Sequence, residues 1–104
     1  MKQFCQLWLT CANTVEADTI AQALLDEHLV SCVKQTEVNS AFWFKGRKES
    51  NEEVLLVMDS RSDLFEAAEA AVAKLHSYDT FVLQAMPVLA VSKKAQLWLK
   101  EELK

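Results

Sequence analysis

Apolar residues occur along the chain in blocks, and the spacing within each block predicts a strand or a helix. Residues 4–12 are mostly apolar and rich in β-forming residues, which predicts a buried strand. Asn13 then has the character of a helix N-cap, with Glu16 at the third helical position to complement it. Apolar side chains over residues 14–28 recur at helical spacing, so the first two predicted elements are a strand and a helix.

A β-hairpin is predicted next. Residues 31–45 form a second extended region, whose centre is polar and whose end is strongly aromatic. Residues 53–59 are apolar and make the third strand, while residues 46–51, with the single glycine of the chain, make the turn. We expect the aromatic side chains of Phe42 and Trp43 to lie in the sheet core or at an interface between subunits.

The last third of the chain predicts a helix, a strand and a second helix. Ser60 or Ser62 can cap the first of these helices. Residues 81–91 are predicted to form the fourth strand, in which Pro87 suits an edge position or a bend. Ser92 is placed to cap the final helix.

The order β-α-β-β-α-β with a C-terminal helix predicts an α+β protein with a ferredoxin-like sandwich, built as one domain of residues 1–104. In that plan the helices cover one face of an antiparallel sheet. The strands are apolar enough to require cover on the other face as well, because an open apolar sheet face is an aggregation hazard. Oligomerisation through the sheet is the simplest way to provide this cover.

Charge and composition exclude several classes of function. The net charge of −4 and the pI near 5.1 argue against a nucleic-acid partner, which would require a basic surface. With one glycine in the chain, glycine-rich loops that hold phosphate groups are almost excluded. No paired carboxylates or Cys-His arrangement indicates catalysis, so we expect no enzyme. No apolar run is long enough to span a membrane, so we expect no membrane partner.

The cysteines and the first residues indicate a reducing compartment. The three cysteines are an odd number without paired spacing, which does not fit a secreted disulfide framework. Cys5 and Cys11 lie in the apolar first strand, where we expect them to be small buried hydrophobic residues. Met1 to Phe4 lead directly into that strand without signal-peptide features. We therefore expect a cytoplasmic protein.

Six segments of the sequence, in the same order and at similar spacing, resemble the CutA divalent-cation-tolerance family. They are residues 29–33 (LVSCV), 40–46 (SAFWFKG), 52–56 (EEVLL), 76–79 (HSYD), 86–88 (MPV) and 96–99 (QLWL). The resemblance implies a ferredoxin-like subunit in a tight homotrimer, closed by strand pairing between subunits. It also implies a non-enzymatic role in tolerance to copper and other divalent cations.

The resemblance also implies a cleft between subunits whose polar residues bind a metal or a small ligand. His76 and Tyr78 retain that pattern, whereas Val82 stands in place of a glutamate and Asp59 in place of a lysine. We expect weak binding of copper or another divalent cation, with His76 and, secondarily, Cys32 as metal ligands. The structural alternatives are a His76 imidazole that interacts with a helix C-terminus and a buried Cys32 thiol.

Further departures from the family pattern leave a second function open. Leu9 occupies the position of a cysteine that some bacterial members use, and Cys11 lies two residues further on. Phe81, Val82 and Leu97 place apolar groups where relatives usually have polar residues or proline. Such groups indicate either a second protein partner or repacking within the trimer. The alternative functions are a trimeric small-molecule sensor or adaptor, and a protein-interaction scaffold without metal binding.

Overall fold

A four-stranded antiparallel sheet with three helices forms the fold, which a computed structural model describes for residues 3–104. The strands are β1 (Phe4–Cys11), β2 (Cys32–Phe44), β3 (Arg47–Arg61) and β4 (Leu83–Pro87), in the spatial order β2-β3-β1-β4. The helices are α1 (Thr14–Asp26), α2 (Phe65–Ala73) and α3 (Lys93–Glu102), with a 3₁₀ turn at Ser62–Leu64. This confirms the predicted α+β, ferredoxin-like order with a C-terminal helix. Met1 and Lys2, which were expected to lead directly into the first strand, lie outside the described residues.

The core lies between one face of the sheet and helices α1 and α2, and Leu99 of α3 and Leu103 also belong to it. In β1, buried and partly exposed residues alternate strictly, so every second side chain points into the core. The fully buried side chains include Leu7, Leu9, Ile20, Leu24, Leu56, Met58 and Val72. The other sheet face carries partly exposed Trp8, Leu55 and Val57. The expected two-faced sheet is therefore present, and one of its faces has no helix over it.

The β2–β3 turn is shorter than predicted, and the turn predicted over residues 46–51 is wrong. Only Lys45 and Gly46 form the turn, both with positive φ (50° and 76°), and β3 begins at Arg47. The two strands stay paired from Phe44↔Arg47 down to Cys32↔Asp59. Because β1 ends opposite Val54, residues 38–53 form a two-stranded extension, here called the distal ribbon.

The distal ribbon lies outside the core and explains the elongated subunit of 45 × 25 × 23 Å. Trp43 is 72% exposed and Phe44 is 56% exposed. Trp43 therefore does not lie in the sheet core of the single chain, and Phe42 is only partly covered. The remaining expectation for these aromatic side chains, an interface between subunits, stays a prediction.

Several predictions about helix caps and strand edges can be compared with the structure. The Asn13 side chain accepts a hydrogen bond from the Glu16 N–H at 2.9 Å, which confirms the predicted N-cap. The predicted Ser60 or Ser62 cap of α2 is wrong, because Ser60 instead donates its hydroxyl to the Leu29 carbonyl at 2.7 Å. Pro87 lies in β4, which is an edge strand, as predicted. The fourth strand, which was predicted over residues 81–91, is shorter in the structure and spans Leu83–Pro87.

Candidate functional site

Three potential metal ligands lie close together where β1 ends and α1 begins. Cys11 is the last residue of β1, Glu16 lies in the first turn of α1, and His76 lies in the loop after α2. The thiol, one carboxylate oxygen and one imidazole nitrogen lie within 4.8 Å of one another. We call Cys11, Glu16 and His76 the ligand cluster; it is the one such group of three or more found among residues 3–104.

Both ring nitrogens of His76 have backbone partners. Nε2 lies 2.9 Å from the Thr10 carbonyl oxygen, and Nδ1 accepts a hydrogen bond from the Tyr78 N–H at 3.1 Å. Because Nδ1 accepts a hydrogen bond and Nε2 faces a carbonyl oxygen, this pattern indicates the neutral tautomer with its proton on Nε2. The side chain is fully buried, and Nδ1 lies 3.9 Å from Glu16 Oε1. The imidazole therefore joins the loop after α2 to the end of β1.

Glu16 connects the same loop to the start of α1. Its two carboxylate oxygens accept hydrogen bonds from the Ala12 N–H at 2.7 Å and the Ser77 N–H at 2.6 Å. Burial raises the pKa of Glu16, but the hydrogen bonds from Ala12 and Ser77 outweigh burial, so the net pKa is lowered. Glu16 is thus held as a carboxylate that is already hydrogen-bonded on both oxygens.

The Cys11 thiol is buried and protonated. Its side chain has no exposed surface, and burial, with the carboxylates of Glu16 and Glu53, raises its pKa to about 12. A protonated thiol is a poor nucleophile and a poor metal ligand. A cation could use Cys11 only by displacing its proton, which makes binding dependent on pH.

Tyr78 and Glu53 form a second, partly buried polar pair beside the ligand cluster. The Tyr78 hydroxyl donates to Glu53 Oε2 at 2.8 Å, and Glu53 is only 7% exposed. Burial, followed by the Glu53 carboxylate, raises the pKa of Tyr78 to about 12. The His76 ring lies between Tyr78 and Phe81, with ring centroids at 4.8 and 5.4 Å. Phe81 therefore packs against the His76 ring.

The Tyr78 hydroxyl can be tested directly because the chain has a single tyrosine. We expect the near-ultraviolet absorbance of tyrosinate to appear with a midpoint near the pKa of about 12 and to be absent from Tyr78→Phe. Tyr78→Phe should also lower the free energy of unfolding by about 1–3 kcal/mol, because Glu53 loses its buried donor. Urea unfolding measures this loss.

The control for Tyr78→Phe is Thr19→Val. It removes an exposed hydroxyl that donates to the Val15 carbonyl at 2.9 Å, and it should cost no more than about 1 kcal/mol. A tyrosinate midpoint near the ordinary value of 10, or equal losses for the two variants, would contradict the buried Tyr78–Glu53 pair.

Of the two metal ligands predicted from the sequence, the structure places one in the ligand cluster. Cys32 lies at the start of β2 and pairs with Asp59, which in turn pairs with Gln6 of β1, whereas His76 meets Thr10. Residues 6 and 10 of a strand are about 13 Å apart along its axis. Lys34 Nζ donates a hydrogen bond to the Cys32 thiol at 3.7 Å. A metal role for Cys32 remains a prediction.

The sequence reasoning missed Cys11, Glu16 and Glu53 as parts of the site. Cys11 was interpreted as a core residue, Glu16 as part of a cap and Glu53 only as the first residue of the third strand. The cysteine two residues beyond the family position was the one available signal for Cys11. Nothing in the local pattern indicates that Glu53 meets Tyr78, since the two residues are 25 positions apart.

A polar groove lies beside the Tyr78–Glu53 pair, at the base of the distal ribbon. It has a volume of about 550 Å³. One wall consists of Asn13 and its neighbours after β1, and the other consists of the paired strands around Glu37 and Glu52. We call this the acidic groove; its lining residues are Ala12, Asn13, Thr14, Glu37, Val38, Asn39, Glu52, Glu53 and Val54.

Comparison with known proteins gives consistent matches over almost the whole chain. The sequence model of the CutA1 divalent ion tolerance protein family matches residues 5–102. The chain is 30% identical over 95 residues to the divalent-cation tolerance protein CutA of Archaeoglobus fulgidus, which covers 91% of this chain and 93% of that protein. The CutA of Pyrococcus horikoshii is 29% identical over 98 residues, covering 94% and 96%.

Solved structures agree with these sequence matches. The structure of the periplasmic divalent cation tolerance protein CutA from Archaeoglobus fulgidus matches with a TM-score of 0.94 at 29% identity, covering 97% of this chain and 99% of that one. CutA1 from Oryza sativa matches with a TM-score of 0.94 at 25% identity, covering 98% and 94%. Among the described residues of this chain, no helix has the length and apolar character needed to cross a membrane.

Proposed function

The chain belongs to the CutA1 divalent ion tolerance family, and on that premise we propose that it is a non-enzymatic cytoplasmic homotrimer that responds to copper and related divalent cations. The observation that carries the proposal is the ligand cluster, in which a thiol, a carboxylate and an imidazole converge within 4.8 Å. Such a mixed set of sulfur, nitrogen and oxygen donors suits copper or zinc better than magnesium or calcium.

The hydrogen bonds of the ligand cluster support weak binding. A cation must displace the Cys11 proton, whose pKa is about 12. It must also take the lone pair of His76 Nδ1 from the Tyr78 N–H, or the proton from Nε2. Each of these exchanges costs part of the energy gained by coordination. Binding should therefore strengthen as pH rises, since metal coordination releases protons.

Three features support the trimer. The sheet face without a helix carries Trp8, Leu55 and Val57, which are only partly covered in the single chain. The strands β2 and β4 form the two edges of the sheet and offer unpaired backbone groups. The distal ribbon exposes the large aromatic side chain of Trp43. A partner that covers the face and the edges would resolve all three features.

The state of the three cysteine thiols supports the proposed cytoplasmic location and the non-enzymatic role. All three cysteines are free, as a reducing cytoplasm would keep them. Burial raises the pKa of Cys5, with a further contribution from Asp63, and the pKa of Cys11 is raised still further. Neither thiol is therefore activated as a nucleophile at neutral pH.

Copper titration followed by calorimetry tests the role of the ligand cluster. We expect Cys11→Ala to weaken copper binding by at least about tenfold, because it removes the thiolate from the donor set. Cys32→Ala is the matched control, since it removes a thiol at the other end of the sheet, and it should bind copper like the wild type.

The opposite pattern would contradict the assignment of the ligand cluster. If Cys11→Ala bound copper like the wild type and Cys32→Ala did not, the metal site would have to be assigned to Cys32. A trimer that binds no copper would instead support a protein-interaction scaffold. That alternative is favoured by the exposed apolar side chains of Val82 (56%) and Leu97 (63%), which a second protein could cover.

A further inference from the structure

The segment after His76 supplies two consecutive backbone donors to the ligand cluster. The Ser77 N–H donates to Glu16 Oε1 at 2.6 Å, and the Tyr78 N–H donates to His76 Nδ1 at 3.1 Å. Nδ1 and Oε1 lie 3.9 Å apart, which two metal–ligand bonds of about 2 Å each can span. A cation that binds both atoms therefore competes with the backbone of residues 77 and 78.

The two acceptors differ in the number of bonds that they can hold. A carboxylate oxygen has a further lone pair, so Glu16 Oε1 can keep the Ser77 N–H while it binds a cation. A neutral imidazole has one lone pair, and in His76 it lies on Nδ1, because Nε2 faces the Thr10 carbonyl oxygen at 2.9 Å. A cation and the Tyr78 N–H therefore exclude each other at Nδ1.

The other end of Tyr78 is held by the base of the distal ribbon. The Tyr78 hydroxyl donates to Glu53 Oε2 at 2.8 Å, and Glu53 is 7% exposed. Glu53 pairs with Val38 where the ribbon begins, and it also lines the acidic groove. Among the residues that the structure describes, no lysine or arginine forms an ion pair with this carboxylate. Tyr78 is thus bonded to the ligand cluster through its backbone and to the ribbon through its side chain.

We propose that cation binding in the ligand cluster is transmitted to the distal ribbon and the acidic groove through Tyr78. This inference rests on the proposed cation binding and deepens it, because it names what the bound cation changes. The cation takes the Nδ1 lone pair, the Tyr78 N–H moves away from the ring, and the hydroxyl is withdrawn from Glu53. The Glu53 carboxylate then loses its donor and turns to the water of the acidic groove. The base of the ribbon therefore differs between the cation-free and the cation-bound chain.

The coupling acts equally in the reverse direction. Two events that exclude each other weaken each other by the same factor. The Tyr78–Glu53 hydrogen bond stabilises the cation-free chain, so it opposes the binding of a cation. Removing this bond should tighten cation binding. The loss of a metal ligand would have the opposite effect, which separates the coupling from direct coordination by Tyr78.

Zinc affinity, measured by calorimetry at constant pH, tests the coupling. Tyr78→Phe keeps the backbone N–H and the ring but removes the hydroxyl. We expect it to lower the dissociation constant for zinc at least about threefold relative to the wild type. In a chain that already carries Glu53→Ala, the same substitution should change the dissociation constant by less than about 1.5-fold, because the hydrogen bond is already absent.

Two matched controls separate this hydrogen bond from general effects of hydroxyl and charge. Thr19→Val removes a hydroxyl that donates to the Val15 carbonyl, outside the ligand cluster, and it should bind zinc like the wild type. Glu52→Ala removes an exposed carboxylate from the same groove. In a chain with Glu52→Ala, Tyr78→Phe should keep its full effect of at least about threefold.

Amide resonances in an NMR spectrum give a second readout that does not depend on affinity. With zinc bound, the amides of Val38 and Glu53, at the start of the ribbon, should shift in the wild type. In Tyr78→Phe they should keep their zinc-free positions, because the phenyl ring makes no hydrogen bond to Glu53.

Different results would overturn different statements. A wild type that binds no zinc would overturn the proposed cation binding, and the coupling with it. A wild type that binds zinc no more weakly than Tyr78→Phe would overturn the coupling alone. So would Val38 and Glu53 amides that stay unshifted in the zinc-bound wild type. An effect of Tyr78→Phe that persists in the Glu53→Ala chain would overturn the route through Glu53.

Discussion

His76→Ala should lower the free energy of unfolding by about 3 kcal/mol, since it removes two buried hydrogen bonds and leaves a cavity. The Thr10 carbonyl and the Tyr78 N–H would each lose a partner. Phe81 would lose the ring against which it stacks at 5.4 Å. In a domain of this size such a loss lowers the melting temperature by roughly 12–24 °C. The measurement is thermal and urea unfolding without metal.

His28→Asn is the control for this prediction. The ring Nδ1 of His28 lies 2.7 Å from the Glu102 carbonyl, in an exposed setting at the end of the chain. Asparagine tolerates the positive φ of 57° that His28 adopts, so the substitution adds no backbone strain. The loss should stay below about 1 kcal/mol. Equal losses for the two variants, or a loss under 1 kcal/mol for His76→Ala, would contradict a structural role for the His76 imidazole.

Val57→Asp should convert the proposed trimer into a folded monomer. Val57 lies in β3 on the sheet face that has no helix over it, between Trp8 of β1 and Lys34 of β2. A carboxylate buried there by a neighbouring copy would lose its hydration, and this costs several kcal/mol at each interface even with Lys34 opposite. We therefore expect the dissociation concentration to rise at least about a hundredfold in light scattering. The subunit core should remain intact, because Val57 points away from it.

Val15→Asp is the matched control, with the same change of side chain. Val15 is 76% exposed in the first turn of α1, where a carboxylate is compatible with the helix dipole. It should leave the molar mass unchanged. If Val57→Asp also left the trimer unchanged, the open sheet face would not be its interface. If it unfolded the chain, the side chain would belong to the core.

The sequence predicted those parts of the fold in which local chemistry and tertiary packing agree. The first strand, the Asn13 cap and the edge position of Pro87 are all visible locally and all confirmed. The β3 half of the distal ribbon was missed because its residues 47–52 are all exposed. Arg47 to Glu52 are uniformly polar and show no period-2 apolar pattern, so they resemble a loop although they form a strand.

The site was only partly predictable for a different reason. His76 was identified through the family resemblance, but its neighbours come from distant positions: it bonds to Thr10, 66 residues away. Cys11 and Glu16 each have a sufficient local explanation, as a core residue and as part of a cap. Local patterns therefore gave no reason to place them in one cluster. Cys32 was selected for its thiol alone, and only the strand register places it at the other end of the sheet.

The most direct test of the proposed function is a zinc titration of the wild-type protein followed by amide resonances in an NMR spectrum. Zinc is diamagnetic and accepts the same sulfur, nitrogen and oxygen donors. We predict that the first amides to shift are Ala12, Ser77 and Tyr78, which donate to the Glu16 and His76 atoms that the metal must take. Shifts centred on Cys32 and Asp59, or no shifts with zinc in excess, would contradict a cation site in the ligand cluster.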